Sequence, residues 1–442
     1  MIVNKKGLGL FALTALAAGQ VIGAGVVTLT GISIGITGHS AWLAYGAAVI
    51  MGFFLIVPHL LLGSMIRVKG GAYTFVAALL GETWGGIYGM IFTMNVFATG
   101  MIGLGFGMYF NALFPGSSPA AVAVITITVF YIFNLLGVNF MSKIQNILTS
   151  VLICGLLLFV LCGAGRLQGE VFNVKAPGFF PGGSEGFLAA VILLVFSCTG
   201  YSFVLAYSRE ADNPKRDVPY AMLITAGIIF LFYTSIALVA SGVLPLREAA
   251  GKPLTAVAKE IMPLPLYYAF VVCGPLMAIA TTLNSSFTVF SRPFHQMAED
   301  GWFSPELART NRYNSPYLIL TIIYIIAVTP IIAGFSIQAI TANTVLIGRL
   351  GEMIAILAVF SLPRKLPEAW NGRHFKGLSR PLFFVLLSIS VSTNILAIVL
   401  SYKSMARMNF FVAVALTMHF FAYAFFRRTG AKVRMLKSYE LQ

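Results

Sequence analysis

Charge is what this sequence has least of. Only 10% of its 442 residues are Asp, Glu, Lys or Arg, and just 14 of them are acidic. A soluble domain carries about 25% charged residues, which is how water comes to cover its surface. This chain is 58% apolar with a mean hydropathy of +0.89, so lipid must cover it instead. Cysteine is scarce too. Cys154, Cys162, Cys198 and Cys273 all fall in apolar stretches, where a small weakly polar side chain is ordinary core. They offer neither metal-ligand spacing nor a disulfide framework. No hydrophilic segment is long enough to fold alone, and there is no Walker lysine motif, so nucleotide-driven work would need a separate subunit. GLGFG at residues 103–107 follows no strand and lies within an apolar run, which makes it a helix-packing feature and not a phosphate loop. A channel would want a filter or a ring of like charges, and the sequence shows neither. A membrane-embedded enzyme would have one Glu, one Arg and a His inside its spans, without a metal or nucleophile motif. No cofactor is implied.

Long apolar runs are what the chain does have. Stretches of about 18 residues or more recur along its length, each sufficient to cross a bilayer as a helix. The alternating short segments of an outer-membrane barrel are missing. The reading is an all-α polytopic membrane protein of about 12 transmembrane helices. The spans fall near 9–35, 41–66, 84–111, 120–137, 143–164, 187–207, 220–243, 265–291, 316–334, 337–360, 381–402 and 408–426. With both termini cytoplasmic, Arg166, Lys175, Arg247, Lys252, Lys259, Lys403 and Arg407 lie outside, Arg349 is buried in a span, and the other basic residues lie inside. That asymmetry over short loops is the positive-inside rule, so the net charge of +15 is topological and points to no nucleic-acid partner. The basic tail, 428–442, is expected to touch anionic lipid. The N-terminal apolar run is too long for a signal peptide and reads as an uncleaved first span.

Two spans are interrupted. The first, LTALAAGQVIGAGVVTLTGISIG, holds Gly19, Gly23, Gly25, Gly31 and Gly35, and Gly costs about 1 kcal/mol against Ala inside a helix. A break is expected at Gly23, Ala24 and Gly25. In the sixth, AAVILLVFSCTGYSFVLAYSRE, the polar run from Ser197 to Ser202 stops the apolar pattern near its middle. Close helix packing is the alternative use for either glycine cluster. Two interruptions five spans apart favour broken helices in an inverted five-helix repeat instead. Such breaks are tolerated only where the freed backbone groups face protein or a cavity.

Three stretches resemble the amino acid–polyamine–organocation permeases. VIGAGVV at 21–27 is similar to that family's VIGSGIF signature. The segment 196–222, FSCTGYSFVLAYSREADNPKRDVPYAM, resembles its sixth span and the E-x-x-N-P-x-R-x-x-P that follows. The segment 284–316 resembles the end of its eighth span, and KGGAYTFV at 69–76 a loop. The resemblance implies a LeuT-like fold: 1–164 as the first repeat, 187–360 as the second, and 381–427 as two peripheral helices. It also implies a small-molecule amino acid bound between the breaks, at Ile22, Gly23, Ala24, Gly25 and Val26 on one side. Phe196, Ser197, Cys198, Thr199, Gly200 and Tyr201 line the other. A half-helix starting after Gly23 would offer N–H groups and a positive dipole end to a carboxylate. Ala24 stands where the family has Ser, and Val27 where an aromatic is common, which leaves side-chain specificity open.

The remaining candidates concern coupling. SKIQNILT at 142–149 is similar to a family segment whose lysine points at the core, so Lys143 is expected to place its ammonium by the 21–23 carbonyls and the hydroxyls of Ser285 or Ser286. That would replace sodium and give protons a carrier. A snorkelling lysine serving topology is the alternative. Arg349 and Glu352, three apart on one helix face, are expected to pair, either as a functional group or as a neutralised packing contact. His59, after Pro58, reads as a hydrogen-bonded core residue that could carry a proton. Asn95 and Asn343 are candidate cavity amides or interhelical bonds. The function expected is sodium-independent permeation of neutral amino acids across the cytoplasmic membrane, with no obligatory protein partner. An amine antiporter or a permease-like sensor is the alternative.

Overall fold

The structure is a computed structural model describing residues 7–334, 337–403, 407–430, 433 and 439–441; the side chains of Ala24, Thr28, Ala112, Phe196, 337–345, Lys403, 407–409 and 439–441 lie outside that description. The first half of the chain forms α1 (Leu10–Val21), α2 (Ala24–Thr37), α3 (Ala41–Gly63), α4 (Ala72–Leu80), α5 (Glu82–Thr93), α6 (Val96–Leu113), α7 (Pro119–Leu135), α8 (Val138–Ala164) and α9 (Gly183–Val195). There follow α10 (Pro214–Gly242), α11 (Leu246–Ala249), α12 (Leu254–Ile261), α13 (Leu264–Val271) and α14 (Met277–Glu299). The last are α15 (Tyr317–Ile332), α16 (Ile337–Phe360), α17 (Leu362–Lys365), α18 (Pro367–Asn371), α19 (Arg380–Lys403) and α20 (Arg407–Gly430). Among the described residues, eight helical segments are long and apolar enough to cross a membrane, and α1, α7 and α15 are shorter apolar helices. The chain is a helical, multi-pass membrane protein. Helices dominate because no water in a bilayer core can serve a backbone N–H or C=O, so each must be bonded within its own segment.

Local signals set several boundaries. Ser118 accepts from the Ala121 N–H at 3.4 Å just before Pro119, so α7 opens with a side-chain cap and a proline at its first position. Pro214 likewise stands at the first position of α10, there without a side-chain cap. Other boundaries differ from the sequence reading. The second span stops at Gly63, and Ile66–Val68 turns into strand β1. The third is divided into α5 and α6 at Met94 and Asn95, where the Asn95 amide donates to Phe92 O at 2.9 Å. The Asn95 amide is therefore bonded within its own chain. The eighth contains a π-helical turn, Val272–Leu276, forced by Pro275, which lacks the N–H that a regular turn needs. Strand β2 (Tyr439–Leu441) pairs antiparallel with β1, with Arg67 opposite Glu440. The end of the tail is thus on protein; residues 431–432, 434–438 and 442 lie outside the described residues.

The broken helices occupy the middle. α1 packs on α8, α10 and α14, α2 on α9, α11 and α12, and α3 on α9, α10 and α19, while α20 lies against α5 and α16. Small residues set these spacings, as expected where lipid supplies no hydrophobic drive between helices. A Cβ on Gly103 would come within 2.5 Å of Ile127, and one on Gly107 within 2.0 Å of the Pro119 carbonyl oxygen, which confirms GLGFG as a packing face. At Gly155 on α8, a Cβ would lie 2.5 Å from the Cys273 carbonyl carbon in the π turn. Gly155→Leu is therefore expected to cost on the order of 1–3 kcal/mol through overpacking. It should insert and express, but lose monodispersity at a lower temperature than wild type in fluorescence-detected size exclusion.

Candidate substrate site

The first break is made by two residues. β-Branched Val21 and Ile22 favour extended backbone over helix, and Gly23 completes the interruption with φ −123° and ψ −156°. The helix resumes at Ala24, so the break lies at Ile22 and Gly23, and Gly25 sits within the first turn of α2. Three carbonyls at the severed end of α1 are served. Ala18 O accepts from Ile22 N at 2.8 Å, Val21 O from Gly23 N at 3.0 Å and from the Tyr233 hydroxyl at 2.9 Å, and Gly19 O from Thr282 Oγ1 at 3.1 Å. The start of α2 is not. The N–H groups of Ala24, Gly25 and Val26 have no acceptor within a helix that begins there, and no side chain caps it among the described residues. The break thus presents donors at the positive end of a 14-residue helix.

The second break faces the first. α9 stops at Val195, turns through a 3-10 helix at Phe196–Cys198, kinks at Thr199 and continues as 3-10 helix over Gly200–Tyr207. Eight residues of 3-10 structure exceed the usual three or four and mark a segment under constraint. Ser197 Oγ and Cys198 Sγ bend back to Leu194 O at 2.7 and 3.3 Å, tying off the end of α9. A Cβ on Gly25 would lie 2.6 Å from Ser197 Cβ, and one on Gly200 2.8 Å from Gln20 O. The two breaks are therefore in van der Waals contact, and glycine alone allows it. Tyr233 on α10 joins them, since its hydroxyl donates to Val21 O and sits 3.4 Å from Ser197 O. Tyr45 packs edge-on against it with ring centroids 5.3 Å apart. Tyr201 is fully buried, with a hydroxyl that has no partner within the structure. The substrate residues read from the sequence converge here, although the side chains of Ala24 and Phe196 lie outside the described residues.

The coupling residues are placed differently. Lys143 is exposed. The α8 side chains that reach α1 are Thr149 and Gln145, the latter against Gly19 and about 200° around the helix from Lys143. Gln145 Oε1 accepts from Asn284 Nδ2 at 2.8 Å, Thr149 Oγ1 donates to Ala15 O at 3.1 Å, and Ser285 donates to the Gln20 side chain. A neutral clamp of amides and hydroxyls holds the last turns of α1 where an ammonium was expected. Ser286 takes no part; its hydroxyl donates to Thr282 O in its own helix at 2.6 Å. Arg349 and Glu352 are not within ion-pair distance of each other among the described residues, and Glu352 Oε1 lies instead 3.3 Å from His59 Nδ1 on α3. The side chain of Asn343 lies outside the described residues. Tyr233 and Gln145 were missed in the sequence. Gln145 had a signal, because Met141, Gln145, Thr149, Leu152, Leu156 and Phe159 follow helical spacing and are all buried.

At the end of the bundle carrying the N-terminus, a clasp closes over the breaks. Leu8 and residues 210–212 exchange backbone bonds, with Leu8 N to Glu210 O at 2.6 Å and Asp212 N to Leu8 O at 3.1 Å. Arg292 on α14 pairs with Glu210 at 2.7 Å and stacks over Tyr207, and Lys69 pairs with Glu299. At the opposite end Gly251 N donates to Gly31 O at 2.7 Å.

A sequence model of the amino acid permease family matches residues 8–431. The chain belongs to that family. It is 24% identical over 340 residues to the branched-chain amino acid permease BcaP of Bacillus subtilis, covering 71% of this chain and 72% of the relative. The serine/threonine exchanger SteT of Bacillus subtilis is 25% identical over 310 residues, 67% of this chain and 68% of that one. The methylthioribose transporter of the same organism is 24% identical over 391 residues, 82% of each. For this permease, Gly25→Ala is expected to suffice for loss of substrate binding. The added methyl meets Ser197 and must push the two breaks apart. An affinity loss of tenfold or more, about 1.4 kcal/mol, is expected by scintillation proximity binding, with unchanged size-exclusion behaviour.

Proposed function

We propose that this permease is a secondary carrier of net-neutral amino acids that works by alternating access and does not need sodium. The observation that carries the reading is the pairing of an uncapped helix start with a facing 3-10 segment. A substrate carboxylate is bound by the N–H groups of Ala24, Gly25 and Val26, where a helix N-terminus favours an anion. The ammonium is bound by carbonyls of the 196–198 turn, whose 3-10 bonds are poorer than those of a regular helix. Every side chain bonded at the two breaks is neutral among the described residues. A second positive charge on the substrate would be buried without a partner, at a cost of several kcal/mol. Relatives named for branched-chain amino acids and for serine and threonine agree with that preference.

The clamp supports sodium independence. A cation between α1, α8 and α14 would have to use carbonyls of α1. Ala15 O and Gly19 O are already bonded to Thr149 and Thr282. In the cycle, twelve spans arranged as two inverted five-helix repeats and two peripheral helices rock about the breaks, with both termini cytoplasmic. The Leu8, Glu210 and Arg292 clasp opens on the inner side, and the contact of Gly31 with Gly251 on the outer.

Proteoliposome counterflow tests this. Labelled leucine or serine should exchange in a saturable manner, with putrescine and spermidine at least tenfold poorer competitors. Replacing sodium by choline should change nothing. Lys143→Ala should keep most of the activity, and Gln145→Ala should lose most of it. Preferred transport of a polyamine, or collapse without sodium, would contradict the reading.

A further inference from the structure

We propose that His59 and Glu352 form a proton-binding pair that couples this permease to the proton gradient, an inference that rests on the carrier reading above. Nothing in the substrate site involves these residues. His59 is buried to 96% on α3, and its Nδ1 faces Glu352 Oε1 of α16 at 3.3 Å while making no hydrogen bond of its own among the described residues. Glu352 retains 22% exposure. A neutral imidazole beside a carboxylate carries one negative charge. One added proton, shared between Nδ1 and Oε1, brings the pair to net zero and closes their contact into a charge-assisted hydrogen bond. In an interior of low dielectric, that single charge change alters how firmly α3 is held to α16.

α3 is the helix that carries the effect to the substrate. Gly52 lies seven residues, or about two turns, before His59 and so on nearly the same face. A Cβ on Gly52 would sit 2.9 Å from Cys198 O, so the protonated end of α3 is rigidly joined to the second break. A second route runs through rings. Tyr88, whose ring lies against Gly351 beside Glu352, stacks on Phe92 with centroids 6.1 Å apart, and Phe92 meets Phe203 of the 3-10 helix at 5.9 Å. The other titratable groups on the elements packed around the pair are differently engaged. On α16, Arg349 lies three residues from Glu352 and outside ion-pair distance of it among the described residues. On α4, Phe75 stacks edge-on against the imidazole, and the Tyr73 hydroxyl donates to Asp300 at 2.7 Å. On the 3-10 helix, Tyr207 lies under Arg292, and Tyr201 belongs to the substrate site. From α19, Asn394 donates to Arg349 O at 3.1 Å.

The test uses proteoliposomes containing pyranine and the full-length protein. Two assays are run: counterflow at equal pH, and uptake of the same amino acid with the lumen made alkaline. Wild type should show counterflow, several-fold stimulation by the pH gradient, and acidification of the lumen on adding substrate. His59→Gln and Glu352→Gln should keep counterflow within about threefold, losing gradient stimulation and pyranine response together. Absent wild-type counterflow would remove the carrier reading, and this proposal with it. Wild-type counterflow without gradient stimulation or pyranine response would overturn the proposal alone. So would variants that exchange normally and still respond to the gradient. If neither variant folds, the wild-type pyranine signal still decides, since a carrier without a coupled proton gives none.

Discussion

A helix that stops inside a membrane must account for every backbone group it frees, and this constraint orders the structure. At the first break the account is asymmetric. The carbonyls at the end of α1 are bonded by Gly23, Ile22, Thr282 and Tyr233, whereas the amides at the start of α2 are left for a ligand. An interruption that satisfied both ends would be structural only. One that left both open would be too costly to fold. Satisfying the acceptors and sparing the donors makes a site selective for an anionic group, and for an amino acid that group is its carboxylate.

The surrounding helices follow from the same requirement. α8 and α14 supply hydroxyls and amides in place of charges, so α1 is held without the desolvation cost that a buried ammonium would bring. α10 supplies Tyr233, whose one hydroxyl lies within reach of both breaks and keeps them in register. At the end bearing the N-terminus, Arg292, Glu210, Lys69 and Glu299 form a clasp that can part into water. His59 and Glu352 are a titratable pair drawn from two helices far apart in sequence.

How much of this was legible depended on whether the signal was local. Both breaks could be read, because glycines and the run from Ser197 to Ser202 interrupt apolar periods in a way a lipid-facing helix has no use for. Gly25, expected within the first break, lies in the first turn of α2, close against Ser197. Lys143 was misplaced because similarity of a short segment outweighed the helical period that buries Gln145 and Thr149. Pairing Arg349 with Glu352 followed the three-residue rule, and tertiary packing overrode it by bringing His59 across from α3. Tyr233 gave no warning at all. An aromatic in an apolar span looks the same whether or not its hydroxyl spans two broken helices.

The central claim is that the amides opening α2 bind the substrate. Hydrogen–deuterium exchange measured by mass spectrometry, with and without a saturating neutral amino acid, addresses those amides directly. Protection concentrated in peptides covering residues 22–28 and 196–202, with the clasp peptides changing less, is the result the account predicts. Binding that protects other segments while exchange at Ala24, Gly25 and Val26 stays as fast as in the free protein would contradict it.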